Sequence, residues 1–93
     1  MTRQEFVDWL EKYNYKVVEQ GENYIRYTKS YRTIDVHLDG TVEVTFVSSV
    51  EITRYMTNTN CFEDMGDLGL RAIIWVVNED GDEIEEEHYL YRY

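Results

Sequence analysis

The residues with the clearest chemical potential lie in the stretch NEDGDEIEEEHYLYRY, residues 78–93. It holds seven acidic side chains and one arginine, Arg92, so it carries −6 of the chain's net charge of −10. Carboxylates at this density can bind a metal ion, hydrate an exposed strand, or meet a basic partner protein. These three possibilities make different demands on the neighbouring residues.

A calcium loop would need oxygen ligands at fixed spacing around a glycine. Aligning Gly81 with the invariant glycine of the EF-hand loop places Asn78, Asp80 and Glu87 at ligand positions. The same alignment puts Val76 at the first ligand position, where it cannot coordinate. We therefore predict no dedicated metal site, and the sequence indicates no cofactor.

Catalysis would need a nucleophile or an acid–base pair at recognisable spacing. His37 and His88 have no such nucleophile nearby in a known motif. Cys61 lies beside acidic residues, which disfavour the reactive thiolate. The sequence also lacks a glycine-rich phosphate loop. We therefore expect no enzyme activity and predict no catalytic residues.

The acidic stretch alternates as a β-strand does. Alternate residues of a strand lie on one face, about 6.5–7 Å apart. Glu83, Glu85 and Glu87 would form a row of negative charge that imitates a nucleic-acid backbone, which has one charge per ~3.4 Å along each strand. The simpler interpretation is an exposed strand that its charges keep from edge-to-edge aggregation. Tyrosines on the same face favour an interface instead. The predicted partner-binding residues are Asp80, Asp82, Glu83, Glu85, Glu86, Glu87, Tyr89 and Tyr91.

Composition narrows the possible partners. A net charge of −10 over 93 residues disfavours direct binding to nucleic acids or anionic membranes, both of which need Lys and Arg. Basic proteins are the partners that such a field attracts. A single cysteine, Cys61, excludes an internal disulfide. No apolar run approaches the roughly 18 residues of a membrane span, and the first residues show no signal-peptide core. We expect a soluble, cytoplasmic protein with one domain, residues 1–93.

The elements that would position these residues begin with a helix at about residues 2–13. Thr2 and Glu5 have the spacing of a capping box. Asn14 is the predicted end of the helix. The residues of its apolar stripe recur at helical spacing: Phe6, Trp9, Leu10 and Tyr13.

The remainder alternates with a period of two, which predicts strands. They lie at about 15–20, 23–29, 31–37, 41–47, 50–56, 70–77 and 83–91. Residues 57–69 read as a long loop, with a helical turn at 62–65. The predicted fold class is α+β, with one N-terminal amphipathic helix packed on a mostly antiparallel β-meander of five or six strands. Trp9 in the helix and Trp75 in the apolar strand 70–77 are predicted core residues.

Two glycine-containing loops predict the strand register. A three-residue loop ending at Gly40, with that glycine left-handed, puts apolar residues on one face. The same loop ending at Gly81 aligns the last two strands. The predicted cross-strand pairs are Ile34–Val44, Val36–Val42, Asp35–Glu43, Val76–Ile84 and Leu70–Leu90.

These features favour a binding protein without catalysis, whose acidic last hairpin blocks a basic groove on a partner such as a nuclease or another nucleic-acid-binding protein. In size, charge and aromatic content the chain resembles the small acidic inhibitors that phages and mobile elements direct at host defence nucleases, anti-CRISPR proteins and DNA mimics among them. The resemblance includes no specific motif. Two alternatives stay open. One is an immunity protein or antitoxin that neutralises a basic nuclease, and the other is an assembly module acting as a homodimer.

Overall fold

The N-terminal helix begins where the capping box predicts it. In the computed structural model, which describes residues 1–93, helix α1 spans Arg3–Lys12 with Thr2 as its N-cap. The Thr2 hydroxyl accepts the Glu5 backbone N–H at 3.1 Å, and a Glu5 carboxylate oxygen accepts the Thr2 N–H at 3.0 Å. After the C-cap Tyr13, Asn14 takes a left-handed φ of 66°, which ends the helix. The predicted helix and its capping box are confirmed.

Eight antiparallel strands form two sheets, one in each of two compact units, residues 1–60 and 61–93. In the first sheet the strands follow chain order: β1 Lys16–Gln20, β2 Tyr24–Lys29, β3 Arg32–His37, β4 Thr41–Val47 and β5 Ile52–Asn58. The second sheet has the order β6 Phe62–Asp64, β7 Leu70–Val77 and β8 Glu83–Leu90. The predicted α+β class with an antiparallel sheet is confirmed, and the last strands form a sheet of their own.

In the first unit, α1 packs on one face of the five-stranded sheet. Phe6 and Leu10 of the helix are fully buried, as are the aliphatic residues at the centre of the sheet. The register pairs Ile34 with Val44 and Val36 with Val42, as predicted. Gly40 has a φ of 90°, the left-handed conformation that the predicted loop requires.

In the second unit, β7 is the central strand, with β6 on one side and β8 on the other. Its register with β8 pairs Leu70 with Leu90 and Val76 with Ile84, in agreement with the prediction. Leu70, Ala72 and Leu90, which lie on one face of this sheet, are buried.

The predicted loop over residues 57–69 is wrong in part. Strand β5 begins at Ile52 and continues to Asn58, because residues 48–51 form a turn in which the Ser48 N–H donates to the Glu51 carbonyl at 2.9 Å. The expected helical turn at 62–65 is instead strand β6, since buried Phe62 pairs with Ala72 of β7. Two 3-10 turns flank β6, at Thr59–Cys61 and Gly66–Leu68.

The two tryptophans have opposite environments. Trp9 is 6% exposed in the first unit, as expected of a core residue. Trp75 is 66% exposed, so its predicted place in the core is wrong. It lies on the face of β7 opposite Leu70 and Ala72, because alternate strand residues point to opposite faces.

No helix combines the length and apolar character needed to cross a membrane.

Candidate protein-binding surface

The loop between β7 and β8 is closed by Asn78. Its side-chain carbonyl oxygen accepts the backbone N–H groups of Asp80 at 3.0 Å and Asp82 at 2.9 Å. The Asn78 N–H donates to the Asp82 carbonyl at 2.9 Å, and Gly81 takes a φ of 84°. Asn78 therefore holds the hairpin closed through its own side chain.

No group of three or more His, Cys, Asp or Glu residues in the chain is arranged to hold a metal ion.

The hairpin brings an acidic row and an apolar row together on one face. The register pairs Glu83 with Val77, Glu85 with Trp75, and Glu87 with Ile73. Directly opposed residues of an antiparallel pair have Cβ atoms about 4.5–5.5 Å apart. We call this surface the mixed face; its residues are Ile73, Trp75, Val77, Glu83, Glu85 and Glu87.

The mixed face is open to solvent. Trp75 is 66% and Val77 67% exposed, and all three glutamates are exposed. Large apolar side chains grouped on a surface mark sites of interaction, and tryptophan is among the residues that most often dominate binding energy. The sequence interpretation missed the apolar row. The signal for it was present, because the predicted pairing of Val76 with Ile84 also places Trp75 directly across from Glu85.

Charge on the mixed face is neutralised only at one end. Arg71, which pairs with Tyr89 in the register, contacts Glu63 at 2.8 Å and Glu87 at 3.8 Å. The hydrogen bond to Glu63 is the main reason that the pKa of Arg71 rises above its usual value. Glu83 and Glu85 form no ion pair, so their charge is available to a partner.

Three tyrosines continue the mixed face beyond the glutamates. The ring of Tyr89 stacks on Tyr91 with centroids 6.2 Å apart, and Tyr91 stacks on Tyr93 at 5.6 Å. The Tyr89 hydroxyl donates to a Glu87 carboxylate oxygen at 3.1 Å. Tyr93 is 70% exposed and was not among the predicted contact residues. Stacking holds these rings in fixed positions, which lowers the entropy lost when a partner binds them.

The other three predicted contact residues lie outside the mixed face, in two different places. Glu86 lies on the face opposite the mixed face, where its carboxylate contacts the imidazole Nε2 of His88 at 3.0 Å. Asp80 and Asp82 are exposed in the hairpin loop. The structure thus groups Glu83, Glu85 and Glu87 with the tyrosines and separates Glu86 from them.

The chain matches no protein-family model, and it matches neither a curated protein nor a solved structure. The geometry of the hairpin is therefore the basis for assigning it a function.

Proposed function

We propose that this chain is a small, acidic, non-catalytic binding protein that covers a basic, nucleic-acid-binding surface of a partner protein. The observation that carries the proposal is the mixed face, where an acidic row, paired only at Glu87, lies in register beside an apolar row with exposed Trp75 and Val77. An acidic strand that served solubility alone would not need a tryptophan opposite its central glutamate.

The acidic row supplies attraction at a distance. Glu83, Glu85 and Glu87 repeat every ~6.5–7 Å along β8. A groove that binds nucleic acid presents Lys and Arg to the phosphate backbone, and the same cations would attract this row. Complementary charge mainly accelerates association and excludes partners of the wrong sign.

The apolar row supplies the contact that holds the complex. Burial of Trp75 and Val77 against a partner would remove apolar surface from water, which is worth about 25 cal/mol per Å² before the costs of association. Glutamates beside the tryptophan would then form the polar rim typical of protein interfaces.

An immunity protein or antitoxin directed at a basic nuclease would use the mixed face in the same way. The two biological settings differ in gene neighbourhood, since an immunity protein is encoded beside its toxin. Phage-type inhibition and immunity are therefore two settings for one proposed mechanism.

The test is capture followed by competition. The tagged chain is used to retain proteins from a bacterial lysate at low and moderate salt, and each retained protein is then assayed for nucleic-acid binding with and without the chain. The acidic-row variant is Glu83→Gln, Glu85→Gln and Glu87→Gln. The matched control, Glu22→Gln, Glu51→Gln and Asp67→Asn, removes the same charge at exposed positions elsewhere.

We expect the wild type and the control to displace nucleic acid from a basic partner. The acidic-row variant should associate at least tenfold more slowly, with a flatter dependence on salt, because electrostatic steering raises association rates by about 10–1,000-fold. Equal behaviour of the two triple variants would contradict the proposal. So would a partner that still binds nucleic acid in the complex.

A further inference from the structure

Strand β8 is an edge strand whose backbone is protected by charge alone. It pairs with β7 on one side, and no strand follows it on the other. Its register with β7 is continuous over eight residue pairs, without the bulge that interrupts the edge strand β1 between Val17 and Glu19. Bulges, proline, short length and charged side chains are the usual protections of an edge. The β8 sequence EIEEEHYL has only the last of these, its four glutamates.

The hydrogen-bond pattern shows which backbone groups face outward. The Asn78 N–H donates to the Asp82 carbonyl, so this pair is hydrogen-bonded. Bonded and non-bonded pairs alternate along an antiparallel ladder. Ile84, Glu86 and His88 therefore direct their N–H and C=O groups to β7. The outward-facing N–H and C=O groups belong to the alternate residues of β8, which are Glu83, Glu85, Glu87 and Tyr89.

The same residues thus present both their backbone groups to the open edge and their side chains to the mixed face. A strand added at this edge would place alternate side chains about 4.5–5.5 Å from the glutamates, measured between Cβ atoms. Lysine or arginine at those positions would pair with Glu83, Glu85 and Glu87. A second copy of β8 would instead oppose glutamate to glutamate, which destabilises the pairing.

We propose that β8 accepts an extended segment of its partner as an additional strand, and that this segment carries Lys or Arg at alternate positions. The inference rests on the proposed function, since it specifies how the acidic hairpin would engage a basic protein. Main-chain hydrogen bonds to the edge would provide affinity, and the alternate basic side chains would provide selectivity.

The probe is an eight-residue peptide of alternating lysine and threonine, and its control contains the same residues as two separate blocks. Two further peptides carry N-methyl groups on either all the lysines or all the threonines. An added strand turns only alternate N–H groups toward β8, so one methylated set should bind at least tenfold more weakly and the other should bind nearly as well. In an antiparallel strand, the N–H groups that face β8 belong to the lysines opposite the glutamates, so weaker binding of the lysine-methylated peptide indicates an antiparallel strand. In a parallel strand they belong to the threonines, so weaker binding of the threonine-methylated peptide indicates a parallel strand.

Amide hydrogen exchange of the whole ¹⁵N-labelled chain provides the second measurement. We expect the peptide to slow exchange at Glu83, Glu85, Glu87 and Tyr89, and the block control to slow it much less. Binding without this protection, or equal loss with both methylated sets, would overturn strand addition while leaving charge-driven binding intact. Failure of the peptide to bind a chain that still captures a basic protein would also overturn it. The proposed function itself fails by a different result, namely equal capture and competition by the two triple variants.

Discussion

At the scale of single residues, Trp75 and Trp9 differ almost completely in exposure, at 66% and 6%. Trp9 lies in the apolar stripe of α1, where its ring is 4.9 Å from that of Tyr13 and 6.0 Å from that of Tyr15. Trp75 lies opposite Glu85 on the mixed face. One side chain therefore stabilises the fold, while the other is available for a partner.

Substitution of the two tryptophans should separate stability from binding. We expect Trp75→Ala to change the free energy of unfolding by no more than about 0.5 kcal/mol, as is usual for exposed positions. It should weaken binding of the captured partner by about 2 kcal/mol or more, roughly thirtyfold, as interface tryptophans do. Trp9→Ala should instead reduce the free energy of unfolding by about 3–5 kcal/mol.

Urea unfolding measures the stability of both variants, and titration with the partner measures affinity. A Trp75→Ala protein that unfolds as readily as Trp9→Ala would show that Trp75 supports the fold despite its exposure. Undiminished affinity would remove the apolar row from the proposed contact.

At the scale of elements, the capping box links the start of α1 to pH. The backbone N–H of Thr2, and secondarily its hydroxyl, hydrogen-bond with Glu5 and lower the pKa of the Glu5 carboxyl. A lowered pKa means that the ionised carboxylate stabilises the folded state. That contribution is present above the unfolded pKa of about 4.3 and is lost as pH falls through the folded value.

The stability of Glu5→Gln relative to wild type should therefore depend on pH. We expect the variant to melt at a lower temperature near pH 7, because it lacks the negative charge that favours a helix N-terminus. The difference should shrink as the pH falls below the unfolded pKa of about 4.3 and through the lower folded value, where the wild-type carboxyl becomes protonated. Thermal unfolding, monitored by circular dichroism at each pH, measures the difference in melting temperature. Glu22→Gln, an exposed substitution outside α1, is the control and should show no such trend. A difference that stayed constant from pH 7 to low pH would contradict the role of charge in the cap.

The β-hairpins show how far local sequence determines register. Gly40 and Gly81 each provide a left-handed residue at the end of a three-residue loop, and this fixes the pairing of the flanking strands. Strand β6 could not be predicted in this way, since its three residues are too few to show alternation. It exists because Phe62 is buried and pairs with Ala72 across the turn at 65–69, and the burial of one side chain cannot be read from local spacing.

At the scale of the whole molecule, the fold class was predictable but burial in the second sheet was not. The capping box and the alternating strands are local signals, and they indicated a helix on an antiparallel sheet. The strand LRAIIWVV is apolar on both faces, which is typical of a strand covered on both sides. Whether a layer covers each face depends on the whole chain. For this reason the sequence predicts a core position for Trp75, and its alternation indicates the acidic row but not the apolar row beside it.

Net charge is also a property of the whole chain, and it should limit stability at low salt. The chain has 19 acidic and nine basic residues besides its two histidines, so its acids outnumber its lysines and arginines by ten. Their mutual repulsion disfavours the compact state. The Debye length falls from about 30 Å at 0.01 M salt to about 10 Å at 0.1 M, which screens repulsion between exposed charges.

We expect the melting temperature of the wild type to rise between 0.01 and 0.1 M sodium chloride, although the same salt weakens exposed ion pairs such as Arg92–Asp67. The acidic-row variant should show a smaller rise than the control triple, because Glu83, Glu85 and Glu87 are close together whereas the control residues are dispersed. Circular dichroism at both salt concentrations measures the effect in all three proteins. A wild type that melted at a lower temperature in the higher salt would mean that its ion pairs outweigh its repulsion. Equal increases in melting temperature for the two triple variants would mean that the repulsion comes from the total charge and not from the row on β8.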